Sequence, residues 1–305
     1  MYDIIPDIHG HADKLEKALK QLGYRHLRGV WRHSNPNRQC LFLGDFIDRG
    51  PDNAAVIRIV RNMIDAGSAQ AIMGNHELNA IHFHTNNPET GQPLRPWTGK
   101  NLRQHNSFIK EFPAGGSAAA EAINWMQSLP LFLDLPHFRL VHACWAQDKI
   151  DQLAAITKEG VLNERQFFQA ADPSHALNDL VETIAKGPET TLPEGYIMTD
   201  KDGTNRREVR VKWWQAGGQS WADVAMSVPD LSQLPEGEPP EAVRALAYPT
   251  DAKPVFFGHY WMVGKPILQA PNALCLDYSA GKGGPLMSYT MEEGAPLSLS
   301  RIRAH

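Results

Sequence analysis

A chain of 305 residues, 42% apolar and 21% charged, carries enough apolar side chains for a large core and excludes wholesale disorder. Thirty basic against 34 acidic side chains leave a formal charge of -4, so no cationic surplus exists to neutralise a nucleic-acid backbone. Cys40, Cys144 and Cys275 are odd in number and widely spaced, which excludes a disulfide framework or a zinc knuckle. With no basic-then-apolar leader and no apolar run of about eighteen residues, neither secretion nor membrane spanning is expected, and the expected compartment is the cytoplasm.

In chain order, residues 2–6 read as a strand, and 11–22 place Leu15, Ala18, Leu19 and Leu22 at helical spacing. A second strand over 40–43 runs into the loop DFIDRGP and a helix over 53–66, with Gly67 as its C-cap. A third strand, 69–73, ends in GNHE. Repeated strand-loop-helix units imply a largely parallel sheet with ligands bound at the carboxyl ends of its strands. Residues 86–116, rich in Asn, Pro, Gly and Thr around a helix at 101–111, read as an insertion over that edge.

A helix over 117–128 then leads to strands near 130–134 and 138–142. Residues 150–245 read as a helical cap, with helices near 162–171, 174–186 and 207–215 and a Pro/Glu-rich stretch at 227–241. From 253 onward PVFFG, GKPIL, ALCLD, LMSYT and LSLSRI read as strands of a second sheet. The expectation is one α/β domain over 1–305, two mixed sheets flanked by helices, with insertions at 86–116 and 150–245.

Chemistry collects at the strand ends. Asp7 and His9 are separated by one residue, so strand alternation turns both to one side, and their oxygen and nitrogen donors suit manganese, iron, zinc or nickel. In Gly44-Asp45-Phe46-Ile47-Asp48-Arg49-Gly50 one carboxylate can bridge two metals while Arg49 offers phosphate a bidentate fork. In Gly74-Asn75-His76-Glu77 the amide oxygen can complete a metal shell, and the neighbouring imidazole can face substrate. His142 and His259 each follow an apolar run; alone either reads as a buried core histidine, but the five motifs together, all at strand ends, make coincidence untenable.

D-x-H, GDFIDRG, GNHE, a later His and a final GH resemble the calcineurin-like metallophosphoesterase superfamily, nearest its phosphoprotein phosphatase and diadenosine tetraphosphatase branch. The resemblance spans residues 7–259 and gives no support to the cap. It implies a four-layer sandwich and two divalent ions, manganese first, with iron, zinc, nickel or magnesium as alternatives. Asp7 and His9 would hold the first ion, Asp45 would bridge, and Asn75, His142 and His259 would hold the second. His76 would be the general acid, oriented by Asp48, with Arg49 on the phosphate oxygens. Two residues depart from the pattern: Pro6 stands where Gly is usual, and Trp261 stands where many nuclease and diesterase relatives have the second His of G-H-x-H.

The leading expectation is a phosphatase of phosphomonoesters, including phosphorylated protein. The alternative is a symmetrical hydrolase of dinucleoside polyphosphates such as diadenosine tetraphosphate. An inactive binding scaffold is disfavoured, because no ligand is lost. Among the remaining features, 280–284 (AGKGG) reads as a glycine-rich turn rather than a phosphate loop, and His82 and His84 as exposed. Trp213, Trp214 and Trp221 read as core, and Arg206, Arg207 and Arg210 as a solvated basic patch in the cap.

Overall fold

The computed structural model describes residues 1–200, 203–215 and 217–305. The chain opens with β1 (Tyr2–Ile5) and α1 (Ala12–Gln21), whose Leu15, Ala18 and Leu19 are buried as their spacing requires. A hairpin follows, β2 (Tyr24–Leu27) and β3 (Val30–His33), which the sequence reading passed over. Next come β4 (Gln39–Phe42), α2 (Asn53–Asp65) and β5 (Ala69–Ala71). Asp52 caps α2 by accepting the Ala55 N–H at 3.2 Å. The helix α3 (Asn75–His84) starts at the GNHE motif itself.

The first expected insertion holds two short helices, α4 (Gly99–Gln104) and α5 (Asn106–Glu111), rather than one; the backbone at His105 (φ -98°, ψ 6°) breaks the helix between them. α6 (Ser117–Gln127), β6 (Phe132–Asp134) and β7 (Arg139–Val141) follow. The second insertion mixes helices α7 (Gln147–Ile156), α8 (Glu164–Ala171) and α9 (Ala176–Lys186) with small strands. These strands are β8 (Glu189–Thr191), β9 (Met198–Thr199), β10 (Asn205–Arg206) and β11 (Glu208–Val211). After them come α10 (Trp221–Val224), β12 (Ala225–Met226) and α11 (Glu241–Arg244). The helix expected over 207–215 is therefore a strand. Val209 and Val211 are buried with Arg210 between them, a period of two that the arginines obscured in the sequence.

The chain ends with β13 (Val255–Phe257), β14 (Ala273–Cys275), β15 (Met287–Met291) and β16 (Ile302–Ala304). GKPIL, expected as a strand, forms none: Pro266 has no N–H to donate and Gly264 sits at φ +82°.

Two mixed sheets result. One has the order β16-β15-β1-β4-β5, with β1, β4 and β5 parallel; the other is β14-β13-β7-β6, with β14, β13 and β7 parallel. Alternation along the strands builds the layers. Ile4, Leu41, Leu140, Phe256 and Leu274 point inward and form one apolar cluster between the sheets. Ile5, Phe42, Val255 and Phe257 point outward into a second cluster shared with α1, α2, α3, α6 and α9. Helices over both outer faces make the four-layer sandwich, and the parallel strands of both sheets deliver their carboxyl ends to one edge.

Candidate metal centre

At that edge Asp7 and His9 follow β1, the Asp45 loop follows β4, Asn75 follows β5, His142 follows β7 and His259 follows β13. Six non-glycine residues here take positive φ: His9 (49°), Asp45 (52°), Asp48 (70°), Arg49 (71°), His259 (71°) and Trp261 (54°). Each such residue costs on the order of 1 kcal/mol or more, and strain of this kind persists where surrounding structure holds a site in shape.

Hydrogen bonds set the direction of every ligand candidate. The His9 Nδ1–H donates to the Ile47 carbonyl at 3.0 Å, which leaves Nε2 as a lone pair. That Nε2 is buried without a hydrogen-bond partner and faces Asp45 Oδ2 at 3.6 Å. The His142 Nδ1–H donates to the Leu43 carbonyl at 2.7 Å, so its Nε2 lone pair faces Asn75 Oδ1 at 3.1 Å and Asp45 Oδ1 at 3.4 Å. His259 Nδ1 lies 2.8 Å from the same Asn75 oxygen. Donor atoms of His9, Asp45 and His76 lie within 4.8 Å of one another, as do those of Asp45, His142 and His259. Asp7 is held by the His259 N–H at 3.0 Å, and the Cβ of any other residue at Gly258 would sit 2.0 Å from its Oδ2.

Lone pairs converging on lone pairs are repulsive unless a cation stands between them. The electrostatics carry the same signature. Burial and the nearby Asp277 carboxylate push Asp7 well above the usual carboxylate range. Burial lowers the His142 pKa, but Asp45 and Asp7 outweigh it and push it up to about 10. This donor set of carboxylates, imidazoles and one amide oxygen fits two divalent ions, with Asp45 placed between the two groups.

Beside the ligand candidates, His76 Nδ1 lies 2.6 Å from Asp48 Oδ2. Burial lowers the His76 pKa, and Asp45 with Asp48 more than reverses this, raising it overall. Asp48 is depressed to about 2, because hydrogen bonds from His105 and His76 outweigh its burial. The exposed Arg49 lies over Trp261, its Cζ 4.3 Å from the ring centroid.

The sequence reading assigned no role to several residues that hold this arrangement. Glu77, the last letter of GNHE, accepts the N–H groups of Asp45, Phe46 and Gly74 at 2.7, 2.8 and 3.0 Å. Asn53 Oδ1 accepts the Asp48 N–H at 2.6 Å, and Glu111 of α5 in turn holds Asn53. His105 of the first insertion reaches Asp48 Oδ1 at 2.7 Å. His82, expected to be exposed, is buried, because α3 lies under the insertions; His84 is half-buried. Trp213, Trp214 and Trp221 are core residues, and within 280–284 Ala280–Lys282 forms a 3-10 turn whose Gly281 lies against His9 and Arg49.

A family description, calcineurin-like phosphoesterase, matches residues 2–260. The chain belongs to that family. As a calcineurin-like phosphoesterase it is a hydrolase whose family works with a dinuclear divalent-metal site. It is 44% identical over 85 residues to an asymmetrical bis(5'-nucleosyl)-tetraphosphatase PrpE of Oceanobacillus iheyensis, across 28% of this chain and 34% of that one. To the PrpE of Bacillus subtilis it is 30% identical over 163 residues, 53% of this chain and 64% of that one. To a symmetrical bis(5'-nucleosyl)-tetraphosphatase of Shewanella baltica it is 28% identical over 173 residues, 54% of this chain and 53% of that one. The alignments thus span from a third to under two thirds of these relatives. A protein serine/threonine phosphatase of Saccharomyces cerevisiae shares the fold, with a TM-score of 0.50, 13% identity and coverage of 100% of this chain and 78% of that one. No helix among the described residues is long and apolar enough to cross a membrane.

Proposed function

We propose that this phosphoesterase hydrolyses a dinucleoside polyphosphate, the first alternative that the sequence allowed. The observation that carries this is a cleft of about 580 Å³ running from Asn75 and His259. Arg95, Lys100, Lys149, Lys186 and Arg210 wall it, against the carboxylates of Asp179, Glu182 and Glu189. Lys149 pairs with Asp179, Lys186 with Glu182 at 2.6 Å and Arg210 with Glu189 at 3.6 Å, so Arg95 and Lys100 are the surplus charges. Two uncompensated cations in a cleft that opens on the donor cluster suit a chain of phosphates better than a single phosphoryl group. The named relatives are tetraphosphatases, which agrees with this reading.

Both insertions contribute cleft walls, residues 95–104 from one and 179–210 from the other, and we read 86–116 and 150–245 as the cap that binds the distal part of the substrate. Asp7, His9, Asp45, Asn75, His142 and His259 hold the two ions, with manganese the first candidate. When bound, such ions supply an activated water and polarise the phosphoryl oxygens. Arg49 grips a phosphate oxygen, and His76, its pKa raised by Asp45 and Asp48 against its burial, donates its Nε2 proton to the departing group. The three cysteines are free and buried, in keeping with a reducing, cytoplasmic setting.

Trp261 in place of the second histidine favours the other reading, a phosphomonoesterase acting on small phosphate esters or phosphoprotein. Manganese-loaded protein should therefore be given diadenosine tetraphosphate, p-nitrophenyl phosphate and a phosphopeptide set, with products separated by anion exchange. Dinucleotide cleavage far faster than monoester cleavage, with KM raised in Arg95→Ala and Lys100→Ala, is the expected result. Preferential release of inorganic phosphate from the monoesters would replace it with the other reading.

A further inference from the structure

His105 lies in the first insertion, 57 residues from Asp48 in sequence, at the break between α4 and α5. It is 5% exposed, and its ring is stacked flat on Phe108 (centroids 4.7 Å apart, planes 17°) with the edge of Phe83 at 5.0 Å. Its Nδ1 lies 2.7 Å from Asp48 Oδ1, while the other Asp48 oxygen lies 2.6 Å from His76 Nδ1. His84 Nε2 lies 3.1 Å from His105 Nε2.

A proton arrangement that satisfies all three contacts is available. His105 Nδ1–H and His76 Nδ1–H each donate to one oxygen of an ionised Asp48, and His105 Nε2 accepts from His84 Nε2–H. Burial and the neighbouring His105 lower His84 to about 4, so its ring is neutral, and a neutral ring can supply that N–H. A carboxylate gripped at one oxygen can rotate about its Cβ–Cγ bond; gripped at both by imidazoles seated on different elements, it cannot.

We propose that His105, itself oriented by His84, is a positioning residue for the reaction: it locks the Asp48 carboxylate so that His76 keeps the angle from which it protonates the leaving group. The proposal rests on the reading of His76 as the acid and is independent of whether the substrate is a monoester or a dinucleotide. It gives the first insertion a second duty, since the same segment that carries Arg95 and Lys100 to the cleft also braces the acid from behind. Glu111, at the end of α5, fastens that brace to α2 through Asn53 N–H at 2.7 Å and Ala54 N–H at 2.9 Å.

The test separates bracing from packing. His105→Phe keeps an aromatic ring in the slot but has no donor for Asp48; His105→Asn places an amide N–H near the position of Nδ1. Full-length, manganese-loaded variants are assayed on phenyl phosphate, whose leaving group needs a proton, and on 2,4-dinitrophenyl phosphate, whose leaving group does not. His105→Phe is expected to lower kcat on phenyl phosphate by about 10- to 100-fold and on the dinitrophenyl ester by less than about threefold, with His105→Asn recovering most of the loss. Adding His105→Phe to His76→Ala should cost nothing further.

Equal losses on both esters, or a loss that persists in the His76→Ala background, would overturn the proposal. Full activity of His76→Ala on phenyl phosphate would instead remove the acid reading beneath it. A downfield imidazole N–H resonance from the His76–Asp48 bond decides the matter without turnover. It should vanish or move upfield in His105→Phe and stay in His105→Asn, and its persistence unchanged in His105→Phe refutes the bracing role.

Discussion

The Glu77 carboxylate holds Asp45 in place through the backbone: one oxygen accepts the Asp45 N–H at 2.7 Å and the Gly74 N–H at 3.0 Å, the other the Phe46 N–H at 2.8 Å. Since Asp45 sits at φ 52°, a strained position, these bonds, with the His76 N–H donated to Asp45 Oδ1 at 2.9 Å, keep its carboxylate aimed between the two donor groups. Glu77→Gln retains shape but exchanges one oxygen for a donor that meets N–H groups head-on. Leaving buried N–H groups unpaired costs about 1–3 kcal/mol each. Glu77→Gln should lower stability by at least that amount in urea titration and weaken manganese binding, read by calorimetry, about tenfold.

Trp261 covers the guanidinium of Arg49 at 4.3 Å and stacks on His9 with ring centroids 5.4 Å apart. Cation-π contacts of this half-exposed kind are worth about 0.5–1 kcal/mol. Trp261→Ala should therefore raise KM for an aryl phosphate by roughly two- to fivefold with kcat less affected. A fall in kcat with KM unchanged would show instead that the tryptophan acts through His9.

Burial first, and Lys186 second, lower His82 from 6.5 to about 4. The sign follows from linkage. In the unfolded chain His82 takes up a proton near pH 6.5, while the folded protein resists until about pH 4, so stability present above pH 6.5 is lost as pH falls toward 4. For metal-free protein moved from pH 7 to pH 5 the loss from this residue should be about 1–2 kcal/mol. His82→Gln should show a smaller drop in urea midpoint over that interval, and an equal drop would mean that His82 does not carry it.

The five motifs were legible in sequence because each is local: a strand end fixes two or three neighbouring residues whatever the rest of the chain does. The first three strand-loop-helix units were legible for the same reason, Leu15, Ala18 and Leu19 being a clear helical stripe. His105 was not legible. Its partner is 57 residues away, and nothing in RQHNSF distinguishes a histidine that braces Asp48 from one in solvent. β11 was missed because its outward face carries Glu208 and Arg210, which hid the alternation of Val209 and Val211. His82 looked exposed because α3 alone has no polar face; the elements that bury it come from later in the chain.

Gly258 tests the Asp7 position most directly. Its N–H donates to the His142 carbonyl at 2.9 Å, so the backbone cannot shift without disturbing a second ligand candidate. A Cβ added there would stand 2.0 Å from Asp7 Oδ2 and 3.0 Å from its Cγ, so in Gly258→Ala the carboxylate must swing away. The rest of the packing is untouched, since Phe256 and Phe257 keep their faces. On the proposed ligand sets, the variant should fold, retain the ion at Asn75, His142 and His259, and lose most of the affinity for the ion at Asp7 and His9. Metal analysis after dialysis should fall from about two ions per chain to about one. Gly99→Ala, whose Cβ meets only Arg103 Nη1 at 3.4 Å, serves as the control that keeps both. Retention of two ions by Gly258→Ala would mean that Asp7 is not a ligand, and its role would then be to hold the His259 N–H.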